Sequence, residues 1–483
     1  MSSTDAAATR ATSSNTSPTT ATGEPGTRLG LPQLLGYASG DAANNLAFSL
    51  SSMFLLLYYT DVVGISAAAA GTLFLVVRVW DAFADIFAGR VVDRTITRWG
   101  KFRPFILFGS LPLLLLSVAT FTVPSGLGDT GKLVYAYVTY AALGLVYSLV
   151  NIPYGSLASA MTQVPRERAK LASFRMIGTA TTIILLAVVV APQISRSDDL
   201  QRSLTLTTLL FVVIGAGLYF VLFKTARENV VRDVPRVSAR QSLATLKGNR
   251  PLLMLCLGAL TFLTGMFSLQ TLQAYYARDV LGNADLFIVL TLVSMLAMFA
   301  AAPVLPPLVR VFGKKACYIG AGVLAVLGAI GVAVVPAATT WLVVASFAVY
   351  GIGMAAVNAL MFALEADTVE YGEWRTGVRT EGITYAVFSF TRKLGQAIGG
   401  AAAAYGLGLV GYLAGAEQQS QATRDGIRHL AGFAPAAFIG VSVLIMLAYP
   451  LTDKKHAALV GEVAARRAER RAGDAGRKPA QEG

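Results

Sequence analysis

The sequence predicts an all-α polytopic membrane protein with twelve transmembrane helices in two six-helix bundles, and three observations carry that prediction. Of 483 residues, 55% are hydrophobic and only 14% charged, against about 25% charged in a soluble domain. About twelve apolar stretches recur along the chain, each near the ~20 residues a helix needs to cross a bilayer. The net charge of +13 gathers in alternate loops, as in cytoplasmic loops of membrane proteins, rather than on a face that nucleic acid would need.

Residues 1–28 are rich in Ser, Thr, Ala and Gly and hold two prolines, which predicts a disordered tail and not a signal peptide. Stretches at 33–59, 66–92, 104–123, 132–157, 171–193 and 203–223 make the first bundle, assigned to 29–224. A basic connection over 225–250, the longest loop, leads to stretches at 251–275, 286–309, 316–336, 340–364, 382–412 and 428–450, the second bundle of 251–451. Residues 452–483 form a basic tail, either solvated or helical on anionic lipid.

Loop charge sets the orientation. Arg94, Arg98, Lys101 and Arg103 lie between the second and third stretches; Arg166, Arg168 and Lys170 lie between the fourth and fifth; Arg232, Arg236, Arg240 and Lys247 lie in the central connection. The loop after the first stretch carries only Asp61, and PAATT before the tenth carries no charge. A multi-pass protein of the cell (inner) membrane with both termini cytoplasmic follows. TRWGKFRP after the second stretch and VRVFGKKACY after the eighth echo one another, which suggests duplicated halves with a site between them.

Cys256 and Cys317 sit inside apolar stretches without motif spacing, and His429 and His456 form no cluster. Neither a disulfide framework, a metal centre nor a hydrolytic triad is supported; no cofactor and no enzymatic activity is expected.

The second stretch holds Arg78, Asp81 and Asp85, with the acids one turn apart on one face. Each ionisable group at bilayer depth costs roughly 2.5–3.5 kcal/mol on insertion scales. The acids either bind a coupling ion, a proton or sodium, or pair with Arg78 as a structural bridge. In the fourth stretch Ser148 offers an oxygen and Asn151 an amide near Pro153; Asn44 and Asn45 do the same in the first. Ser148 suits the coupling ion and the three amides a hydroxylated ligand, with interhelical bonding the alternative for all four. Asp41, near the start of its stretch, reads as a partner of the helix N-terminus. Arg175 and, in the eleventh stretch, Arg392 and Lys393 call for anions, either the acids of the second stretch or an anionic ligand. EADTVEYGEWRTGVRTEG joins the tenth stretch to the eleventh, and its Asp367, Glu370, Glu373, Arg379 and Glu381 predict a charge network latching cytoplasmic ends.

Ten strings in order, from about Gly36 to Lys455, resemble the glycoside-pentoside-hexuronide:cation symporter family of the major facilitator superfamily, and most of all its bacterial glucuronide carriers. They are GYASGDAANNLAF, YYTDVVG, VRVWDAFADIFAGRVVD, TRWGKFRPF, NIPYGSLASAMTQ, FKTARENVVR, EADTVEYGE, GVRTEG, FTRKLGQAIGG and YPLTDKK. The resemblance implies the major facilitator fold and a cation site at Asp81, Asp85 and Ser148. Ala84 stands where melibiose carriers of the family have an intervening asparagine. Loss of that neutral oxygen weakens a sodium shell more than a proton site. It further implies a sugar site at Asn45, Asn151, Arg175 and Lys393. Asn45 and Asn151 replace aspartates, Gly155 replaces a tryptophan, and the two cations remain, a balance that favours an acidic sugar. The expected function is symport of a glucuronide or related hexuronide with a cation, a proton before sodium. The alternatives are a sodium-coupled carrier of neutral xylosides or galactosides and, from other classes, a sugar sensor or a multidrug exporter.

Overall fold

A computed structural model of the chain describes residues 28–475 apart from 96, 163–164, 198, 229–247, 378–380 and 417. Residues 1–27 of the expected tail, most of the central connection with Arg232, Arg236, Arg240 and Lys247, and Arg379 lie outside the described residues. Thirteen α-helices, two π turns and one isolated β-bridge, Thr97 to Gly100, make up the described secondary structure. The first six are α1 (Leu31–Leu57), α2 (Ala67–Arg94), α3 (Arg103–Thr120), α4 (Asp129–Met161), α5 (Pro165–Arg196) and α6 (Leu200–Thr225). The next six are α7 (Arg250–Tyr275), α8 (Leu286–Phe312), α9 (Lys314–Val334), α10 (Thr340–Thr376), α11 (Glu381–Leu409) and α12 (Gln421–Leu447). The last is α13 (Asp453–Ala475).

Each of the twelve expected stretches falls on one helix from α1 to α12. Among the described residues ten helices are long and apolar enough to span a bilayer, and α1 and α11 are not among those ten. These two carry Asp41, Asn44 and Asn45, and Arg392 and Lys393, so the polar residues that lower their hydropathy sit mid-helix. Val213, Leu296, Trp341 and Leu444 expose their apolar side chains on the outer surface, where acyl chains cover them.

Two expectations change. The acidic segment after 364 is not a connecting loop: α10 continues through it to Thr376 and stops at Gly377, whose φ of 73° accepts the left-handed turn. Its Glu, Ala and Arg residues are good helix formers. The tail beyond 452 begins as a helix docked on α10: Trp374 Nε1 donates to Glu462 at 2.7 Å and Arg466 Nη1 to the Trp374 carbonyl at 2.9 Å.

Helix packing repeats. In the first half α1 packs on α5 and α6, α4 on α2 and α3, and α3 on α6; in the second, α7 packs on α11 and α12, α10 on α8 and α9, and α9 on α12. Adding six to each number converts one set into the other. The halves meet along α2 and α11, α5 and α8, and α1 and α7.

The ends repeat as well. Glu228, after α6, accepts backbone N–H bonds from Lys101, Phe102 and Arg103 at 2.8, 2.8 and 3.0 Å, at the start of α3. Asp453, after α12, accepts from Lys314 N at 2.8 Å, at the start of α9. A carboxylate at a helix N-terminus meets unpaired donors and a favourable dipole. These are the two turns whose sequences echo. At the opposite end α1 and α7 each widen into one π turn, Tyr58–Val62 and Tyr276–Val280. Each is followed by a glycine at positive φ, Gly64 at 81° and Gly282 at 69°.

Candidate transport site

On α2, Phe83 and Phe87 face outward at 64% and 53% exposure. Asp81 and Asp85, two residues before each, therefore point inward, Asp81 toward α1 and α4 of its own half and Asp85 toward the other half. Asp85 Oδ1 accepts from Ser148 Oγ of α4 at 2.7 Å, and Oδ2 is ion-paired with Lys393 Nζ of α11, from the other half. Asp81 Oδ2 pairs with Arg78 Nη1 at 3.4 Å. Asp81 Oδ1 is buried and has no hydrogen-bond partner among the described residues. Gly144 of α4 makes room for this atom, since a Cβ there would overlap it. A cavity of about 30 Å³ lies alongside, lined by Ser51, Arg78, Asp81, Tyr140, Gly144 and Tyr147 among others. That admits about one water molecule and no sugar.

A second cluster joins α1 to α5. Asp41, only 2% exposed, accepts from Arg175 Nε at 2.7 Å and from Thr179 Oγ1. Asn45 Nδ2 donates to the Asp41 carboxylate at 3.1 Å, and Asn45 Oδ1 accepts from Ser49 at 2.9 Å. Arg175 lies over the Tyr154 ring at 5.4 Å, and its side chain stays 43% exposed. Asp41 thus binds α5, not the helix N-terminus, and Arg175 pairs with an acid of α1, not of α2. The i,i+4 spacings of Asp41 to Asn45 and Arg175 to Thr179 were the available signal.

The other expected residues divide. Asn151 is half-buried on α4 and makes no side-chain hydrogen bond to the described residues, and Gly155 one turn on faces open space. Asn44 is not brought to this group: at 1% exposure it accepts from Tyr219 of α6 at 2.8 Å, because one residue along a helix turns the side chain by about 100°. Arg392 finds no acid among the described residues; it stacks on Phe362 at 4.6 Å and donates to Asn358 at 3.2 Å. At the end of the bundle holding α13, Lys314 Nζ bridges both oxygens of Asp367 at 2.6 Å. His456 meets Glu370 at 2.5 Å. Glu373 is buried near the end of α10, and the side chain of Glu381 lies outside the described residues.

A group unforeseen from sequence closes the opposite end. Arg278 Nη1 reaches Asp61 of the other half at 3.1 Å, and Nη2 reaches Asp279 at 2.9 Å. Tyr412 OH donates to Asp61 at 2.6 Å. Thr60 and Tyr275 hydroxyls meet at 2.9 Å. YYTDVVG and YYARDVLG, the two π turns with their flanks, are the sequence signal: a second echo that places Asp61 opposite Asp279.

Two packed half-bundles enclosing buried, mutually paired charges are the architecture of a membrane transporter. Residues 36–453 match the family described as MFS/sugar transport protein, and the chain belongs to that family, as the resemblance implied. It is 48% identical over 436 residues, 89% of this chain and 94% of the relative, to the glucuronide carrier protein homolog of Escherichia coli (strain K12). It is 35% identical over 450 residues, 91% of this chain and 97% of the relative, to a putative 2,3-dihydroxypropane-1-sulfonate exporter of the same organism. Among solved structures, a bacterial homologue of the iron transporter ferroportin in the inward-facing state aligns with a TM-score of 0.63 at 14% identity, covering 86% of this chain and 97% of that one. That likeness concerns the fold.

Proposed function

We propose that the protein imports a β-glucuronide or related hexuronide together with a proton, with the end holding α13 in the cytoplasm. The observation that carries this reading is the ion pair between Asp85 of the first half and Lys393 of the second. Protonation of Asp85 removes the anion that holds Lys393, which then binds the carboxylate of the sugar. Ion and substrate are coupled because each displaces the same contact. Charge at this level supports an acidic substrate: among the described residues Arg78, Arg175 and Lys393 pair with Asp81, Asp41 and Asp85, and Arg392 has no acidic partner. One cation is in surplus, and an unpaired buried charge is costly until an anion arrives.

A proton is favoured over sodium by how the oxygens are used. Sodium needs several oxygens converging on one point. Here Asp85 is occupied by Ser148 and Lys393, Asp81 Oδ2 by Arg78, and Ala84 supplies no oxygen. The free Asp81 Oδ1, beside its water-sized cavity, offers a proton a place to enter one turn from Asp85. Both named relatives concern organic anions, a glucuronide and a sulfonate, which agrees with this pocket. Uptake of labelled phenyl glucuronide into proteoliposomes tests the reading. An inward proton gradient should drive accumulation and a sodium gradient should not. Drive by sodium alone, or equal uptake of a neutral glucoside, would refute it.

A further inference from the structure

We infer that a methionine-lined cavity between the halves receives the aglycone of the transported glycoside, and that this aglycone is apolar and aromatic. The cavity measures about 220 Å³. Met53 of α1, Met266 of α7, Met295 and Met298 of α8 and Met354 of α10 line it, five of the eleven methionines in the chain. They converge from both halves, so the compartment belongs to the cleft between the bundles and not to the core of either. Methionine is unbranched and polarizable, fits rings of differing shape, and makes favourable sulfur–aromatic contacts. Gln270, Gln273, Thr291, Ser294 and Asn358 add polar groups to an otherwise apolar wall; benzene needs roughly 150 Å³, so the space holds an aryl group with some latitude.

Helix geometry ties the cavity to the charged cluster. Asp41, Asn45, Ser49 and Met53 follow at intervals of four along one face of α1, and Arg175, Thr179 and Ile183 do so along α5, with Met53 and Ile183 both in the cavity wall. Eight residues separate Asn45 from Met53 and Arg175 from Ile183, roughly 12 Å of helix rise. A hexuronide bears its acid and its aglycone on the carbons either side of the ring oxygen. With its acid on Lys393 and its ring beside Asn45 and Arg175, it sends the aglycone along these faces toward the end closed by Arg278. Tyr350 also lines the cavity, 7% exposed, and its hydroxyl has no partner among the described residues. A polar substituent on the ring would satisfy it.

This inference rests on the proposed glycoside transport, and its test is the ratio of affinities for an aryl and a methyl glycoside of the same sugar. Phenyl and methyl β-D-glucuronide are titrated by calorimetry into the purified full-length protein. Met295→Trp, which fills the cavity, should cut phenyl glucuronide affinity at least tenfold and methyl glucuronide affinity less than twofold. Met53→Ala, from the opposite wall and without added bulk, should improve the affinity of naphthyl relative to phenyl glucuronide. Tyr350→Phe should weaken p-nitrophenyl glucuronide more than phenyl glucuronide. Parallel losses for aryl and methyl ligands, or unchanged ratios in all three variants, would overturn the aglycone site. If no glucuronide binds the wild type, the acidic-sugar reading fails separately, and the same ratio measured with phenyl and methyl glucosides or xylosides decides the aglycone site.

Discussion

The two halves of the molecule share a scaffold and differ in what it carries. Their helices pack in the same pairs, an acid caps the third helix of each, and each first helix ends in a tyrosine-led π turn. At the midplane the likeness ends. The clustered carboxylates, Asp41, Asp81 and Asp85, all come from the first half, whereas the second contributes Lys393, Arg392 and four of the five cavity methionines. Repetition at the ends holds the helices; divergence in the middle gives the chemistry its two unlike walls.

Substitutions graded by depth test this division. Asp85→Asn strikes the divergent centre and should reduce proton-driven accumulation at least a hundredfold while substrate exchange persists, as counterflow in proteoliposomes would reveal. Arg175→Gln and Lys393→Gln should each weaken acidic sugars at least tenfold more than neutral ones in competition assays; equal losses would mean that these cations serve structure alone. Arg278→Gln opens the closed end. A Gln273→Cys reporter beneath it, with Cys256 and Cys317 replaced, should then react several-fold faster with an impermeant maleimide applied from the side opposite α13. The smallest effects belong to the repeated caps. Glu228→Gln should cost ~1–2 kcal/mol of stability, by analogy with lost helix caps and charge-assisted bonds. Asp453→Asn, with one backbone donor where Glu228 has three, should cost less, as read by thermal melting in detergent.

Much of the fold was legible because bilayer length and hydropathy leave few solutions: every apolar stretch became a helix. The acids of α2 were legible for a related reason, since charge in an apolar run has few structural excuses. What escaped depended on pairing across the sequence. Asp41 meets Arg175 across a sequence separation of 134, and nothing local separates it from an acid near a helix start. Asn44 and Asn45 look alike in sequence, yet one turns to Tyr219 of α6 and the other to Thr179 of α5. The methionines lie on four helices and form a cavity only when the halves meet.

Arg392 carries one further consequence. It stacks on Phe362 and Phe388 and has no acidic partner among the described residues, so its charge rides with α11 on every stroke of the cycle. Under the proposed symport one sugar acid boards with one proton, their charges cancel, and the loaded protein bears the same charge going in as the empty protein coming back. The resting voltage, worth roughly 2.3 kcal/mol per charge per 100 mV, then performs no net work over a turnover. On the proposed coupling, a cell that keeps its potential but loses its acidity difference would be unable to concentrate the sugar.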